Sequence, residues 1–285
     1  MALVYKGAEV AAALNEKNKQ LVAELKERGV EPALVLLRVG HREDDVFYER
    51  MAIKRCETTG VKAISIVLPA DVSQEQLLEQ VKNINEDPAV HGCLIFRPLP
   101  AHLDEELICE ALSPDKDVDG ITSGSLAGVF SGSKQGYPPC TAQACMEILK
   151  HYNVGLSGKR VCVVGRSLVI GRPVAMLLLA QNATVTICHS RTVDLSSSCA
   201  ESDIVVACVG SAGLLGAECF RSGQVVLDVG TNVGADGSLT GDVCFDAAAA
   251  LVKGITPVPG GVGSVTTAVL VSHTAQAALR QANRA

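Results

Sequence analysis

The sequence predicts an α/β fold built on parallel sheets, and three observations predict it. Apolar runs of strand length alternate with segments of helical periodicity from Gly7 to Leu112, the pattern of a parallel sheet covered by helices on both faces. A second alternation starts at Lys159. There the β-branched run Val161 to Val164 ends in Gly165, a second glycine follows at Gly171, and Pro173 precedes the apolar run Val174 to Ala180. Between the two, Ser113 to Pro139 is rich in Gly, Ser, Asp and Pro and lacks periodicity. It reads as an active-site loop plus an interdomain connection.

Each element has a local reason. Gly7 to Arg28 carries Val10, Leu14, Leu21 and Leu25 at helical spacing and stops at Gly29. Ala33 to Val39 is a continuous apolar strand, Gly40 to Asp45 a polar loop, and Val46 to Thr59 a helix stopped by Gly60. Val61 to Leu68 is the next strand. Ser73 caps the following helix, which ends near Asn85. Val90 to Phe96 is a third strand, cut by Pro98 and Pro100, with a helix near Leu103 to Leu112 after it. A helix near Ala142 to His151 leads into the second alternation. Its strands are Val161 to Val164, Ala183 to Cys188, Asp203 to Val209 and Val225 to Val229. Thr266 to Gln281 is the last helix.

The stretch from Lys159 to Cys188 is a βαβ unit whose glycine turn lets a ligand approach the backbone and whose helix N-terminus favours phosphate. The spacing is not GxGxxG, so the turn alone is a weak dinucleotide signal. The end of the second strand adds to it. His189-Ser190-Arg191-Thr192 stands where an NAD site places an acid, and arginine there suits a 2′-phosphate. The reading is Rossmann-like, with NADP favoured over NAD.

Composition narrows the remaining classes. The chain has 285 residues, 48% of them apolar, and a formal net charge of −6. That length suits one large or two ordinary domains. The acidic balance and the absence of tryptophan argue against nucleic acid or an anionic membrane as partner. Most of the eleven cysteines lie in apolar runs, with no CxxC pair and no Cys/His ligand spacing. They read as reduced cytoplasmic thiols with no metal site. The N-terminus lacks a signal-peptide pattern, and the uncharged run from Gly254 to Leu279 is broken by Pro257 and Pro259, so no membrane span is expected.

Longer strings carry a family resemblance. Gly165-Arg-Ser-x-x-x-Gly-x-Pro173, Cys188-His-Ser-Arg-Thr192, Asp228-Val-Gly230, Gly241-Asp-Val243 and Thr256-Pro-Val-Pro-Gly-Gly-Val-Gly263 resemble the methylenetetrahydrofolate dehydrogenase/methenyltetrahydrofolate cyclohydrolase family. So do Asp87-Pro-Ala-Val-His-Gly92, Asp115-Lys-Asp-Val-Asp-Gly120 and Pro139-Cys-Thr141. The resemblance implies a folate-binding domain over 1–138, completed by a C-terminal helix over 267–285. It implies an NADP-binding Rossmann-like domain over 139–266, with a cleft between the two. It further implies a homodimer that oxidises the methylene bridge of a tetrahydrofolate derivative with NADP, and in many members hydrolyses the methenyl product.

Carried over by position, Tyr48 matches the folate-contacting tyrosine and Asp119 the aspartate that holds the pterin. A carboxylate can accept from a pterin amide and amino group together. By itself, Asp119 also reads as a turn aspartate and Tyr48 as an ordinary helix-face residue. Gly165, Arg166, Ser167, Gly171, Ser190, Arg191 and Thr231 match cofactor positions, and Pro259, Gly260 and Gly261 a loop near nicotinamide and folate. The departures gather in the folate half. The family lysine position is Ala52, the family glutamine position is Phe96, and the family serine position is Asp45. Alanine and phenylalanine together can conserve packed volume while removing a charge and an amide. Their side chains are therefore expected in contact. The expectation is dehydrogenase activity with a weak or absent cyclohydrolase step, which leaves room for a separate cyclohydrolase partner. The alternatives are hydrolysis through Arg97 or Lys54, or a non-catalytic NADP-binding subunit.

Overall fold

The structure is a computed structural model that describes residues 2–234 and 237–284. In chain order it contains β1 (Leu3–Val4), α1 (Gly7–Glu27), β2 (Ala33–Val39), α2 (Glu43–Thr59), β3 (Lys62–Leu68), α3 (Gln74–Glu86) and β4 (Gly92–Ile95). Next come α4 (Glu105–Ala111), α5 (Ser123–Ser131), α6 (Cys140–His151), β5 (Arg160–Val164), α7 (Gly171–Ala180), β6 (Thr184–Cys188), α8 (Leu195–Ala200) and β7 (Ile204–Ala207). The chain ends with β8 (Val225–Asp228), β9 (Asn232–Val233), β10 (Leu239–Thr240), α9 (Phe245–Ala249), β11 (Gly254–Ile255) and α10 (Thr266–Ala282). Two compact units result. One joins the chain up to Ala12 to Thr141–Thr266; the other joins Ala13–Cys140 to the chain from Thr267 on.

The small-sheet unit is centred on β2, which pairs in parallel with β3 on one side and β4 on the other. Every residue of β2 is buried, as its unbroken apolar run requires. Val35, Leu37 and Ile95 pack on Leu77, Val81 and Ile84 of α3 and Ile108 of α4. α3 starts in a capping box: the Ser73 hydroxyl accepts from the Gln76 N–H, and the Gln76 side chain accepts from the Ser73 N–H. α2 begins at Glu43, inside the stretch expected to be loop. Glu43, Asp44 and Asp45 form its first turn, where carboxylates suit the positive end of a helix.

Part of the Ser113–Pro139 segment, expected to be irregular, forms α5 between a Thr122 cap and the left-handed Gly132. Its Ser- and Gly-rich sequence has poor intrinsic helix propensity, so tertiary packing decides. A Cβ on Gly128 would stand 2.1 Å from the Gln135 carbonyl oxygen.

The large-sheet unit holds six strands in the order β1-β11-β8-β7-β5-β6, all parallel. Chain order reverses between β5 and β7, the switch point at which open α/β sheets bind ligands. The short hairpin β9–β10, α8 and α9 were not anticipated from periodicity. Nor was the placement of the first residues. The sequence reading assigned 1–138 to one domain, but the chain up to Ala12 groups with the large sheet. Leu3 and Val4 pair with Gly254 and Ile255, the Tyr5 ring stacks on Tyr152 at 4.2 Å, and the Gly7 N–H donates to the Gly260 carbonyl at 2.8 Å. A two-residue edge strand is too short to show as a periodic run. Among the described residues no helix is long and apolar enough to cross a membrane.

Candidate active site

In the large-sheet unit the chain leaves β5 at Gly165, whose φ of 132° favours glycine. A Cβ there would lie 2.4 Å from the Cys208 carbonyl oxygen just past β7, and one on Gly171 would lie 2.3 Å from the Gly165 oxygen. The two glycines thus let three backbone segments converge at the switch point. α7 begins at Gly171 with Pro173 in its first turn. Ser167 closes the turn, its hydroxyl accepting from the Ile170 N–H at 3.2 Å. Arg166 and Ser167 are exposed. The Gly165 N–H donates to the Cys188 carbonyl at 2.9 Å, so the glycine turn leaves the sheet beside the end of β6. There the His189 N–H donates to the Thr192 hydroxyl and the Thr192 N–H to the His189 carbonyl, both at 2.8 Å. This tight turn leaves Ser190 and Arg191 exposed.

Two aspartates hold the neighbouring loops, a role that spacing did not reveal. The Asp242 carboxylate accepts from the Val209, Gly210 and Ser211 N–H groups at 2.7–3.1 Å. Asp228 accepts from Gly230, Asp242 and Val243 N–H groups, each at 3.0 Å. Burial pushes Asp228 up to about 6 against the pull of those backbone donors. Thr231 is exposed just past this knot. Pro259 and Gly260 are exposed and Gly261 is buried; Gly260 takes a φ of 97°. A cavity of about 750 Å³ in this unit lies at the far end of α7 between Lys150, Gln181 and Asn182 and includes none of the expected cofactor residues.

In the small-sheet unit, Tyr48 lies on α2 one turn before the fully buried Ala52. The Phe96 ring, just past β4, meets the Tyr48 ring edge-on with centroids 6.1 Å apart. Phe96 and Arg97 both lie past the end of β4, and the Arg97 Nη1 stands 3.8 Å from Glu105 of α4. Lys54 is exposed. Asp119 is half-buried beside Cys140 at the start of α6, whose thiol donates to the Val118 carbonyl at 3.3 Å. Burial pushes the Asp119 carboxyl up to about 6, with Cys140 and the Arg97 charge opposing and Asp117 assisting.

His273 of α10 braces the residue before it. Its Nδ1 lies 2.9 Å from the Val118 carbonyl, and burial pushes the imidazole down to about 4, so it is the neutral donor near pH 7. Beneath α2, Arg38 of β2 pairs with Glu49 at 2.8 Å in the interior, and Ser65 of β3 also donates to that carboxylate. A charged pair inside an apolar run is invisible to periodicity. A second cavity, about 350 Å³, opens at the carboxyl ends of the small sheet beside His41, Arg42, Ala70 and Pro98. Among the described residues no group of three or more His, Cys, Asp or Glu side chains is arranged to hold a metal.

A parallel sheet with a glycine cradle at its switch point, a basic turn beside it, and a second unit carrying a shielded carboxylate defines a two-unit, dinucleotide-binding α/β protein. Comparison with known proteins makes this specific. The catalytic-domain model of the tetrahydrofolate dehydrogenase/cyclohydrolase family matches residues 5–119, and that family's NAD(P)-binding-domain model matches 139–282. The chain is 47% identical to the bifunctional protein FolD of Clostridioides difficile over 281 residues, 99% of this chain and 98% of that one. It is also similar to the crystal structure of the bifunctional enzyme from Campylobacter jejuni, with a TM-score of 0.96, 35% identity and both chains covered in full (100%). A Trypanosoma brucei methylenetetrahydrofolate dehydrogenase-cyclohydrolase, complexed with NADP and an inhibitor, matches with a TM-score of 0.92 and 38% identity over 100% of this chain and 99% of that one. The chain belongs to the tetrahydrofolate dehydrogenase/cyclohydrolase family.

Proposed function

We propose that the chain is an NADP-dependent methylenetetrahydrofolate dehydrogenase in which hydrolysis of the methenyl product is weak or absent. One observation carries this reading: the cofactor end keeps its glycine cradle and basic turn, while Ala52 and Phe96 stand beside Tyr48 where the family places lysine and glutamine. Bound NADP+ supplies the hydride acceptor. Gly165, Ser167 and Gly171 would leave the backbone free to approach its phosphates, and Arg166, Ser190 and Arg191 would hold the 2′-phosphate. Thr231 and Pro259–Gly261 would lie at the nicotinamide end. Asp119, ionised above its raised pKa, accepts from the pterin amide and amino group, and Tyr48 lies against the folate.

Hydride departure is driven by the lone pair of the adjacent folate nitrogen, so it needs alignment but no protein base. Hydrolysis differs. Water must lose a proton and the ring nitrogen must gain one, and neither alanine nor phenylalanine can carry a proton.

A second reading keeps hydrolysis through a relocated group, and the placement of Arg97 favours it over Lys54: its charge acts on Asp119. Arginine stays protonated and cannot serve as the base, which limits it to steadying negative charge. Arg97→Ala separates the readings, because under the second it abolishes hydrolysis selectively. Ten of the eleven cysteines are buried free thiols, which supports a cytoplasmic enzyme; a homodimer is expected by family.

The deciding experiment mixes the protein with NADP+ and methylenetetrahydrofolate and follows reduced-cofactor absorbance, then supplies methenyltetrahydrofolate and follows its decay. Cofactor reduction with little enzymatic decay supports the proposal. Decay at the rate of a bifunctional relative overturns its second half. No reduction at all leaves a non-catalytic NADP-binding subunit.

A further inference from the structure

Arg55 stands on the same face of α2 as Tyr48 and Ala52, three residues after the alanine and seven after the tyrosine. It is half-buried. Its Nε–H donates to the Thr267 hydroxyl in the first turn of α10 at 3.3 Å. Among the described residues no carboxylate lies within ion-pair distance of it, and no acceptor lies within hydrogen-bonding distance of its two terminal amino groups. A guanidinium presents five N–H donors, and a partly desolvated cation with one long hydrogen bond is poorly compensated. The start of α10 adds positive partial charge, so nothing resident explains why the cation is held here. Burial also lowers the Arg55 pKa from its ordinary value, as expected for a cation without a counter-charge.

The spacing along α2 identifies the missing anion. At about 1.5 Å of rise per residue, Arg55 lies roughly 10 Å along the helix from Tyr48. Tyr48 is at the Phe96 end of the face. Between them Ala52 is fully buried, and the apolar surface on this side is that of Met51, one turn before Arg55 and 40% exposed. Helical side chains lean toward the helix N-terminus, which carries the Arg55 stem back over Ala52. The face therefore reads aromatic, apolar, cationic. A tetrahydrofolate reads pterin, benzoyl ring, glutamyl carboxylates, at a matching separation.

We propose that Arg55 binds a carboxylate of the substrate's glutamyl tail and so determines specificity for the tailed folate, an assignment that rests on the folate reading above. Guanidinium and carboxylate match in a bidentate pair. Arg97 does not compete for this role, because a carboxylate, that of Glu105, already neighbours it at 3.8 Å.

The test compares two substrates in the wild type, Arg55→Lys and Arg55→Gln: methylenetetrahydrofolate, and the methylene adduct of tetrahydropteroyl N-methylamide. The amide keeps pterin and benzoyl ring but has no carboxylate. The wild type should prefer the tailed substrate by about tenfold or more in kcat/KM, as expected for one charge-assisted hydrogen bond. Arg55→Gln should lose about 10- to 100-fold on the tailed substrate, carried by KM, so that its preference falls toward one, with Arg55→Lys in between. A wild type without preference, or a Gln variant that loses equally on both substrates or on neither, overturns the proposal. If the wild type reduces NADP+ with neither substrate, the functional reading fails on its own. Calorimetric binding of tetrahydrofolate and tetrahydropteroyl N-methylamide to the same three proteins then decides the role of Arg55.

Discussion

Restoring the family pair at Ala52 and Phe96 tests the altered folate end directly. Ala52 is fully buried and Phe96 is 7% exposed, with its ring held edge-on against Tyr48. Ala52→Lys alone drives a four-carbon stem into filled space, at about 1–3 kcal/mol for overpacking. The ammonium then meets an aromatic surface that attracts a cation but accepts no hydrogen bond. Phe96→Gln alone gives up about 1.5–3 kcal/mol of aromatic burial and about 0.5–1.5 kcal/mol of ring–ring contact. If the two effects were independent, the double variant would lose about 3–7.5 kcal/mol. If the residues share one site, the lysine stem occupies the space left by the ring and the new amide accepts from the ammonium. About 0.5–3 kcal/mol of that loss should then return as coupling. Thermal melts of wild type, both singles and the double close the cycle, and decay of methenyltetrahydrofolate reads the chemistry. Neither single should hydrolyse appreciably, whereas the double should gain about a hundredfold, the lower end of a positioned proton-transfer group. Additive stability and additive hydrolysis, or a structure with the side chains at 52 and 96 out of contact, would refute the coupled replacement.

Other outcomes follow from the same geometry. Because the Asp119 carboxyl is pushed up to about 6, kcat/KM for the folate should rise with pH through that value as the acceptor forms, and Asp119→Asn should give a lower, flatter profile. The sign for stability is opposite. Folded Asp119 holds its proton more tightly than the unfolded side chain near 3.8, so its contribution to stability falls as pH rises from there to about 6 and is constant above. Urea midpoints across that window should drop more for the wild type than for Asp119→Asn. Arg191→Gln should weaken NADP by about 1.5–3 kcal/mol while NAD affinity barely moves; equal losses for both would place Arg191 on some other part of the cofactor. Gly171→Ala would bring a methyl group to 2.3 Å from the Gly165 oxygen, so the turn must open. Cofactor affinity should drop at least tenfold and thermal stability by about 1–3 kcal/mol.

What the sequence made legible follows from what each element depends on. β2 spans Ala33–Val39 because a strand buried on both faces has to be a continuous apolar run, and such runs declare themselves. The Ser73 cap and the Gly60 stop were readable because they act within one helical turn. The helix over Ser123–Ser131 was not, since its serines and glycines favour no helix and contacts with Gln135 and Gly136 hold it. β1 was hidden for a similar reason: two residues carry no period, and its partner lies some 250 residues away in the chain. The glycine cradle at Gly165 and Gly171 was legible as a turn, whereas its closeness to Cys208 required the fold. At the folate end, Ala52 and Phe96 were found by position in a motif. Arg55, which matches no quoted string, became visible only through its missing counter-charge. The Arg38–Glu49 pair was hidden because each member looked like an isolated exception to its own element's pattern.

These residues divide the chemistry along a physical line. Hydride transfer moves charge between two bound molecules, and what it asks of the protein is alignment. The backbone of the glycine cradle, the carboxylate of Asp119 and the arginines can all supply that without gaining or losing a proton. Hydrolysis asks for proton movement at a fixed point beside the methenyl carbon, hence for a side chain that changes state near neutral pH. Along the Tyr48 face of α2 this chain offers the buried Asp45 carboxyl, its pKa raised by burial, then an aromatic ring, a buried methyl group and a guanidinium that stays protonated. The neutral His273 donates to a backbone carbonyl beneath the site, its pKa near 4. On the proposed reading, Ala52 and Phe96 take the family's amine and amide away from this face and leave its charges in place. That is the pattern expected if the first reaction is kept and the second is given up; a folate site losing function altogether would have no reason to keep an uncompensated arginine half-buried on the same helix face.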